Sequence, residues 1–204
     1  MVYSHGWAGR RDAPYHADLL DHIAHTGVAS ISLDQRGYGE TGGDPDLTAW
    51  QRDMSFLVGY LAACGFERVW TAGLSTGGTV AIVTAAADGC VHGALALSPF
   101  ASLARVLAER PDRRDFLAGK FGQIGPRTFA AGDALAHVHE VAPRPLLIVN
   151  AAADAEFSSD HGRALHAAAG AHADHWVLER GGHTLIEGDR SGLLTRLADW
   201  IASH

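Results

Sequence analysis

Ser75 lies in Gly73-Leu74-Ser75-Thr76-Gly77-Gly78, directly after the apolar run Val69–Ala72 and directly before an Ala-rich stretch. A serine on a sharp strand-to-helix turn is lifted above a sheet, and the neighbouring glycines remove the Cβ atoms that would collide in so tight a bend. The helix that begins behind it favours developing negative charge at its N-terminus. A serine hydroxyl is a weak nucleophile by itself, so the motif calls for a general base and a carboxylate to orient that base. Asp154 follows the run Pro145–Asn150 after three alanines, and His183 lies in Gly181-Gly182-His183-Thr184 after the run His175–Leu178. Both fall at the carboxyl ends of expected strands, the sheet edge that also carries Ser75. Glu156 and Asp160 compete for the role of the acid, but they lie further along, and Asp160 is placed to open a helix.

The elements that must position these residues follow from periodicity. Short apolar or β-branched runs at Val2–Ser4, Val28–Leu33, Val69–Gly73, Gly93–Leu97, Pro145–Asn150 and His175–Leu178 alternate with helical patterns. That alternation predicts an α/β fold with a mostly parallel sheet of about six strands, buried on both faces. Helices are expected over Pro14–His25, with Asp12 and Pro14 as start signals, and around the stripe Trp50, Met54, Leu57, Val58 and Leu61, which stops at Gly65. Others are expected over Thr76–Ala87, Asp160–Ala169 and Gly192–Ala202. The stretch Ala101–Val141 has no strand pattern, and its helical pieces are broken by Pro111, Gly119, Gly125-Pro126 and Gly132, so it is expected as a helical insertion between two strands. With no repeat, low-complexity linker or composition shift, residues 1–204 are expected to form one domain.

Composition narrows the partners. Sixteen Lys and Arg against 23 Asp and Glu leave a formal charge of −7, without a polybasic run, which argues against a nucleic-acid or acidic-membrane surface and points to a small-molecule partner. No stretch approaches the roughly 18 apolar residues of a membrane span. The start Met1-Val2-Tyr3-Ser4-His5 has no basic, then apolar, leader pattern, so a cytoplasmic location is expected. Cys64 and Cys90 lack CxxC spacing and are expected to be reduced structural thiols. The histidine pairs His137/His139, His161/His166 and His172/His175 do not combine with Cys or carboxylates at a metal-ligand spacing. Neither a G-x-G-x-x-G followed by an acidic residue nor a G-x-x-x-x-G-K-[ST] is present. No metal or organic cofactor is implied.

Four motifs together resemble the α/β-hydrolase superfamily of serine hydrolases, over nearly the whole chain. They are His5-Gly6-Trp7-Ala8-Gly9 after the first strand, Asp34-Gln35-Arg36-Gly37-Tyr38-Gly39 after the second, the Ser75 turn, and the Asp154 and His183 loops. The insertion and the Arg-Gly-Tyr-Gly turn are most similar to dienelactone-hydrolase-like and serine-aminopeptidase-like members. The resemblance implies a Ser75–His183–Asp154 triad and an oxyanion hole made by the backbone N–H groups of Trp7 and Thr76. Such donors are typically worth about 3 kcal/mol each to a transition state. His5 and the Asp34/Arg36 turn are expected to hold loops beside the site through hydrogen bonds and a local ion pair.

The sequence departs from the family in lacking its usual first two strands. Val28–Leu33 is therefore expected as an exposed edge, which a homodimer could hide. A chain that begins inside a longer protein explains the short N-terminus equally. Leu103, Val106, Leu107, Phe116, Leu117, Phe121 and Phe129 of the insertion either line an apolar lid or only close the core. The expected reaction is hydrolysis of a carboxylic ester through an acyl-enzyme. Thioester and peptide or amide cleavage use the same triad, and a non-catalytic ligand-binding domain of this fold would show a broken one.

Overall fold

The computed structural model describes residues 1–7, 9–121 and 124–204; Ala8 of the His-Gly loop and residues 122–123 of the expected insertion lie outside them. The chain runs β1 (Val2–Ser4), α1 (Pro14–Ala24), β2 (Ile31–Leu33), α2 (Leu47–Ala63), β3 (Val69–Leu74), α3 (Thr76–Ala87) and β4 (Val91–Leu97). Four short helices follow, α4 (Leu103–Glu109), α5 (Arg113–Phe121), α6 (Pro126–Ala131) and α7 (Ala134–His137), with a 3-10 turn at Val138–Val141. The order then closes with β5 (Leu146–Ala151), α8 (Asp160–Ala169), β6 (Ala173–Leu178) and α9 (Arg190–Ser203). The expected insertion is thus the helical segment between β4 and β5.

Among the described residues the sheet has six strands in the order β2-β1-β3-β4-β5-β6. Every pairing is parallel. Chain direction across the sheet reverses between β1 and β3, and a crevice opens at the carboxyl ends of strands where such a reversal occurs. The residues following β1 and β3 are the His5-Gly6-Trp7 loop and Ser75, so both sides of that crevice carry the motifs read from the sequence.

In β1, β3, β4 and β5 the alternation buries both faces, while the edge strands β2 and β6 are only partly buried. In β5, Leu146 and Ile148 join the core beneath α2, α3 and α8, while Leu147, Val149 and Ala151 join the core beneath α1 and α9. The α2 stripe forms as expected: Trp50, Met54, Val58 and Leu61 are buried, and the Asp46 carboxylate caps the helix by accepting from the Thr48 N–H at 2.8 Å. Helix α3 is buried along almost its whole length, which its small Gly, Ala and Thr side chains permit.

Several boundaries differ from expectation for physical reasons. β2 is shorter than Val28–Leu33 because β1 offers only three rungs, from Val2 opposite Ile31 to Ser4 opposite Leu33. β4 starts earlier, at Val91, which pairs with Val69 across a register shift. Helix α1 has Pro14 in its first turn, but Asp12 does not cap it; that carboxylate lies 3.1 Å from Arg10 Nε instead. Cys64 and Cys90 are free thiols but both are exposed, because each sits in a chain reversal rather than in the core.

Candidate active site

Ser75 follows β3 and precedes α3 with φ 58° and ψ −124°. A non-glycine residue at such a positive φ is strained, and the surroundings must hold it there. Its N–H donates to the Leu97 carbonyl at 2.7 Å, and its carbonyl accepts from the Thr79 N–H at 3.1 Å. A β-carbon on Gly77 would lie 2.1 Å from the Ser4 carbonyl oxygen, and one on Gly73 would lie 2.4 Å from the Gly77 carbonyl. The flanking glycines are therefore required by backbone contacts between β1, β3 and α3.

Asp154 leaves β5 three residues after the strand ends, and its side chain is completely buried. Oδ1 accepts from the N–H groups of Glu156 at 2.7 Å and Phe157 at 3.1 Å, and Oδ2 lies 2.8 Å from His183 Nδ1. With the carboxylate ionised, Nδ1–H is the donor, so the free lone pair of the imidazole is on Nε2. His183 is held by a loop whose Gly181 and Gly182 have φ of 151° and 59°, and the edge of the Phe157 ring packs on its imidazole at 5.1 Å. Ser75 and His183 line one cavity of about 240 Å³ together with Gly6, Trp7, Tyr15, Arg113, Phe116 and Glu156. A direct hydrogen bond from Ser75 Oγ to His183 is not formed among the described residues. Apo sites often leave this contact to tighten with substrate.

Trp7 lines the cavity, and Thr76 directly follows Ser75. The Thr76 N–H is in the first turn of α3, where no intrahelical acceptor exists. Neither it nor the Trp7 N–H donates to an acceptor among the described residues. Gly6 brings the Trp7 loop against the nucleophile: a β-carbon there would be 3.1 Å from Ser75 Cβ. The Trp7 ring is 6% exposed and stacks on Phe100 at 5.7 Å, with Phe116, Phe121 and Phe157 edge-on around it. Its side chain is an apolar plug beside the cavity.

No protein-family model matches the sequence, and no curated protein is significantly similar to it. Solved structures are similar. The Pyrococcus furiosus esterase Pf2001 aligns with a TM-score of 0.80 at 17% identity, over 99% of this chain and 82% of its own. A structure described under the metagenome-derived lipolytic enzymes LipS and LipT gives 0.79 at 18%, over 100% and 93%. Est1E from Butyrivibrio proteoclasticus, with ferulic acid bound, gives 0.77 at 19%, over 99% and 86%. The chain has the α/β-hydrolase fold.

Within this α/β-hydrolase fold the two supporting motifs form a hydrogen-bonded layer beneath the site. His5 Nδ1–H donates to the Gly6 carbonyl at 2.6 Å, and Nε2 accepts from the Gln35 N–H at 2.9 Å. Burial lowers the His5 pKa, against smaller upward pulls from the Gly6 carbonyl and Asp34, consistent with a neutral ring that accepts at Nε2. The expected local ion pair resolves into two separate ones. Asp34 takes the N–H groups of Arg11 and Glu40 and the Arg11 guanidinium, while Arg36 makes a two-pronged pair with Asp53 at 2.6 and 2.7 Å. Asp34 is turned inward under Gly39, whose absent β-carbon would sit 2.0 Å from Oδ2, and so cannot reach Arg36.

The competing acids are otherwise engaged. Glu156 pairs with Arg113, and Asp160 pairs with Arg163 at the start of α8. The insertion divides in function: Leu103, Val106, Leu107 and Leu117 are buried in the core, whereas Phe116 lines the cavity. Phe121 and Phe129 pack partly buried against the core. Sequence reasoning did not place Tyr15 or Arg113 in the site. Both come from helices whose local pattern carries no chemical signature, and only their packing brings them to the cavity.

No helix among the described residues is long and apolar enough to cross a membrane.

Proposed function

We propose that the protein is a serine hydrolase that cleaves a small-molecule carboxylic ester through Ser75, His183 and Asp154. The observation that carries this reading is the 2.8 Å bond from His183 Nδ1 to the buried Asp154 carboxylate, beside a serine held at positive φ in the same cavity. Ser75 Oγ attacks the acyl carbonyl as His183 Nε2 takes its proton, and the imidazolium then protonates the departing alcohol. Asp154 keeps the ring in the tautomer with a free Nε2 and stabilises its cation. The amides of Trp7 and Thr76 receive the oxyanion, at about 3 kcal/mol each. Water then repeats the sequence on the acyl-enzyme, with His183 as base, and releases the acid. None of these steps requires a metal or organic cofactor.

The esterase and lipolytic enzymes of this fold support the ester as the first substrate class to assay. A cytoplasmic location is part of the same proposal, consistent with two free cysteines. Labelling of wild type and Ser75→Ala with a fluorophosphonate, alongside turnover of p-nitrophenyl esters, tests it. Label and turnover present in wild type and lost in Ser75→Ala are expected. A folded wild type that takes no label removes the proposal.

A further inference from the structure

Among the described residues the insertion between β4 and β5 is joined to the segment that follows Asp154 by five hydrogen-bonded contacts, the first from the Ala101 N–H to His161 Nδ1 at 3.0 Å. Next in chain order, Arg105 Nη1 donates to the Asp160 carbonyl at 3.4 Å, and Glu109 Oε2 lies 3.0 Å from His161 Nε2. Arg110 Nη1 then donates to the Ala155 carbonyl at 3.4 Å, and Arg113 Nη2 pairs with the Glu156 carboxylate. The last two contacts fall on the turn that orients Asp154. Oδ1 of Asp154 is fixed by the N–H of Glu156 at 2.7 Å and the N–H of Phe157 at 3.1 Å. A displacement of residue 156 therefore misaims both donors and lets the carboxylate rotate. The other oxygen, Oδ2, is the one bonded to His183. Phe157, next in the chain, is also the ring packed edge-on against His183.

We propose that Arg113 and Glu156 are positioning residues that hold the Asp154 turn, and through it the His183 imidazole, in register with Ser75. This inference rests on the triad reading above. Arg113 is anchored on its own helix by Phe116, whose ring centroid lies 5.7 Å from its guanidinium carbon. The ion pair is 23% and 35% exposed at its two ends. Pairs of that exposure contribute little to stability, so the contribution is read in turnover rather than in melting. A misplaced catalytic group costs rate steeply, by up to about 100-fold per ångström.

Both residues also line the cavity, so a direct contact with substrate is the competing role, and kinetics separate the two. Arg113→Met, Arg113→Lys and Glu156→Gln are made in the full chain, and Arg113→Met also in the Asp154→Asn background. Initial rates on a p-nitrophenyl ester, fluorophosphonate labelling rates and melting temperatures are measured. Arg113→Met and Glu156→Gln are expected to lower kcat about tenfold with KM unchanged and melting within about 3 °C of wild type. Arg113→Lys, which keeps the charge, retains most of kcat. In the Asp154→Asn background Arg113→Met costs nothing further in labelling rate, because the group it positions is already disabled. Wild-type kcat in Arg113→Met overturns the inference. So does a raised KM together with an undiminished loss in the Asp154→Asn background, which assigns the arginine to substrate instead. A failed triad reading is distinguishable from both, since the wild type itself would then take no label.

Discussion

Gly6 lies so close to Ser75 that a β-carbon on it would be 3.1 Å from Ser75 Cβ and 3.5 Å from Ser75 Oγ. The loop after β1 and the nucleophile are thus in contact through a residue at which a side chain forces a small displacement. Gly6→Ala pushes the Trp7 amide away from the nucleophile by a few tenths of an ångström. A fall in kcat of about tenfold with the fold retained is expected. Gly77→Ala is a different case, because its β-carbon would meet the Ser4 carbonyl at 2.1 Å and neither backbone can yield cheaply. That variant is expected to lose on the order of 3 kcal/mol of stability, about 10 °C in melting temperature. Circular dichroism melts and ester turnover on the two variants distinguish the outcomes.

Asp154→Asn removes the acceptor that sets the His183 tautomer. In serine hydrolases of other folds the equivalent loss is about 10,000-fold in kcat, and a drop of that order is expected here with melting little changed. Asp160→Asn serves as the control and is expected to keep wild-type turnover, since Asp160 is engaged with Arg163. Wild-type rates in Asp154→Asn with a loss in Asp160→Asn would move the acid to the helix start.

His16 is fully buried on α1 and accepts a hydrogen bond at Nδ1 from the Tyr3 hydroxyl at 2.7 Å. Burial, with smaller contributions from His5 and Arg190, pushes its pKa down to about 3. The folded protein therefore holds His16 neutral, while the unfolded chain takes up a proton near pH 6.5. Stability from this group is complete above about pH 6.5 and declines as pH falls from there towards 3. At pH 5 the loss is about 2 kcal/mol. Urea unfolding of wild type and His16→Gln, which retains an acceptor for Tyr3, at pH 7 and pH 5 measures it: His175, whose pKa burial lowers to about 4, keeps part of the pH dependence in both proteins, and the variant is expected to reduce the difference by about 2 kcal/mol. Equal stability of the wild type at the two pH values would contradict a neutral buried His16.

Phe116 projects from the insertion into the cavity and is more than a third exposed. Shortening it to Ala in Phe116→Ala deepens the cavity without opening the core, because Leu117 beside it carries the buried contact of α5. The chain-length optimum on p-nitrophenyl esters is expected to move to longer acyl groups. An unchanged profile would place the acyl group elsewhere in the cavity.

The placement of Ser75, Asp154 and His183 just beyond the ends of strands could be read from the chain because it depends on local rules. A serine between a buried strand and a helix start, bracketed by glycines, is dictated by backbone sterics within six residues, and the strand runs that carry Asp154 and His183 are continuous and apolar. Periodicity likewise gave the parallel sheet, the α2 stripe and the helical character of residues 101–141. Tertiary structure alone decided how these pieces meet. The reversal between β1 and β3 that opens the crevice, the division of the insertion into core residues and cavity-lining Phe116, and the partners of Asp34, Arg36, Glu156 and Arg113 all depend on approach between segments far apart in sequence. A charged side chain on a loop or helix surface has several opposite charges within its sequence neighbourhood. Which one it meets is settled by packing geometry that no local pattern encodes.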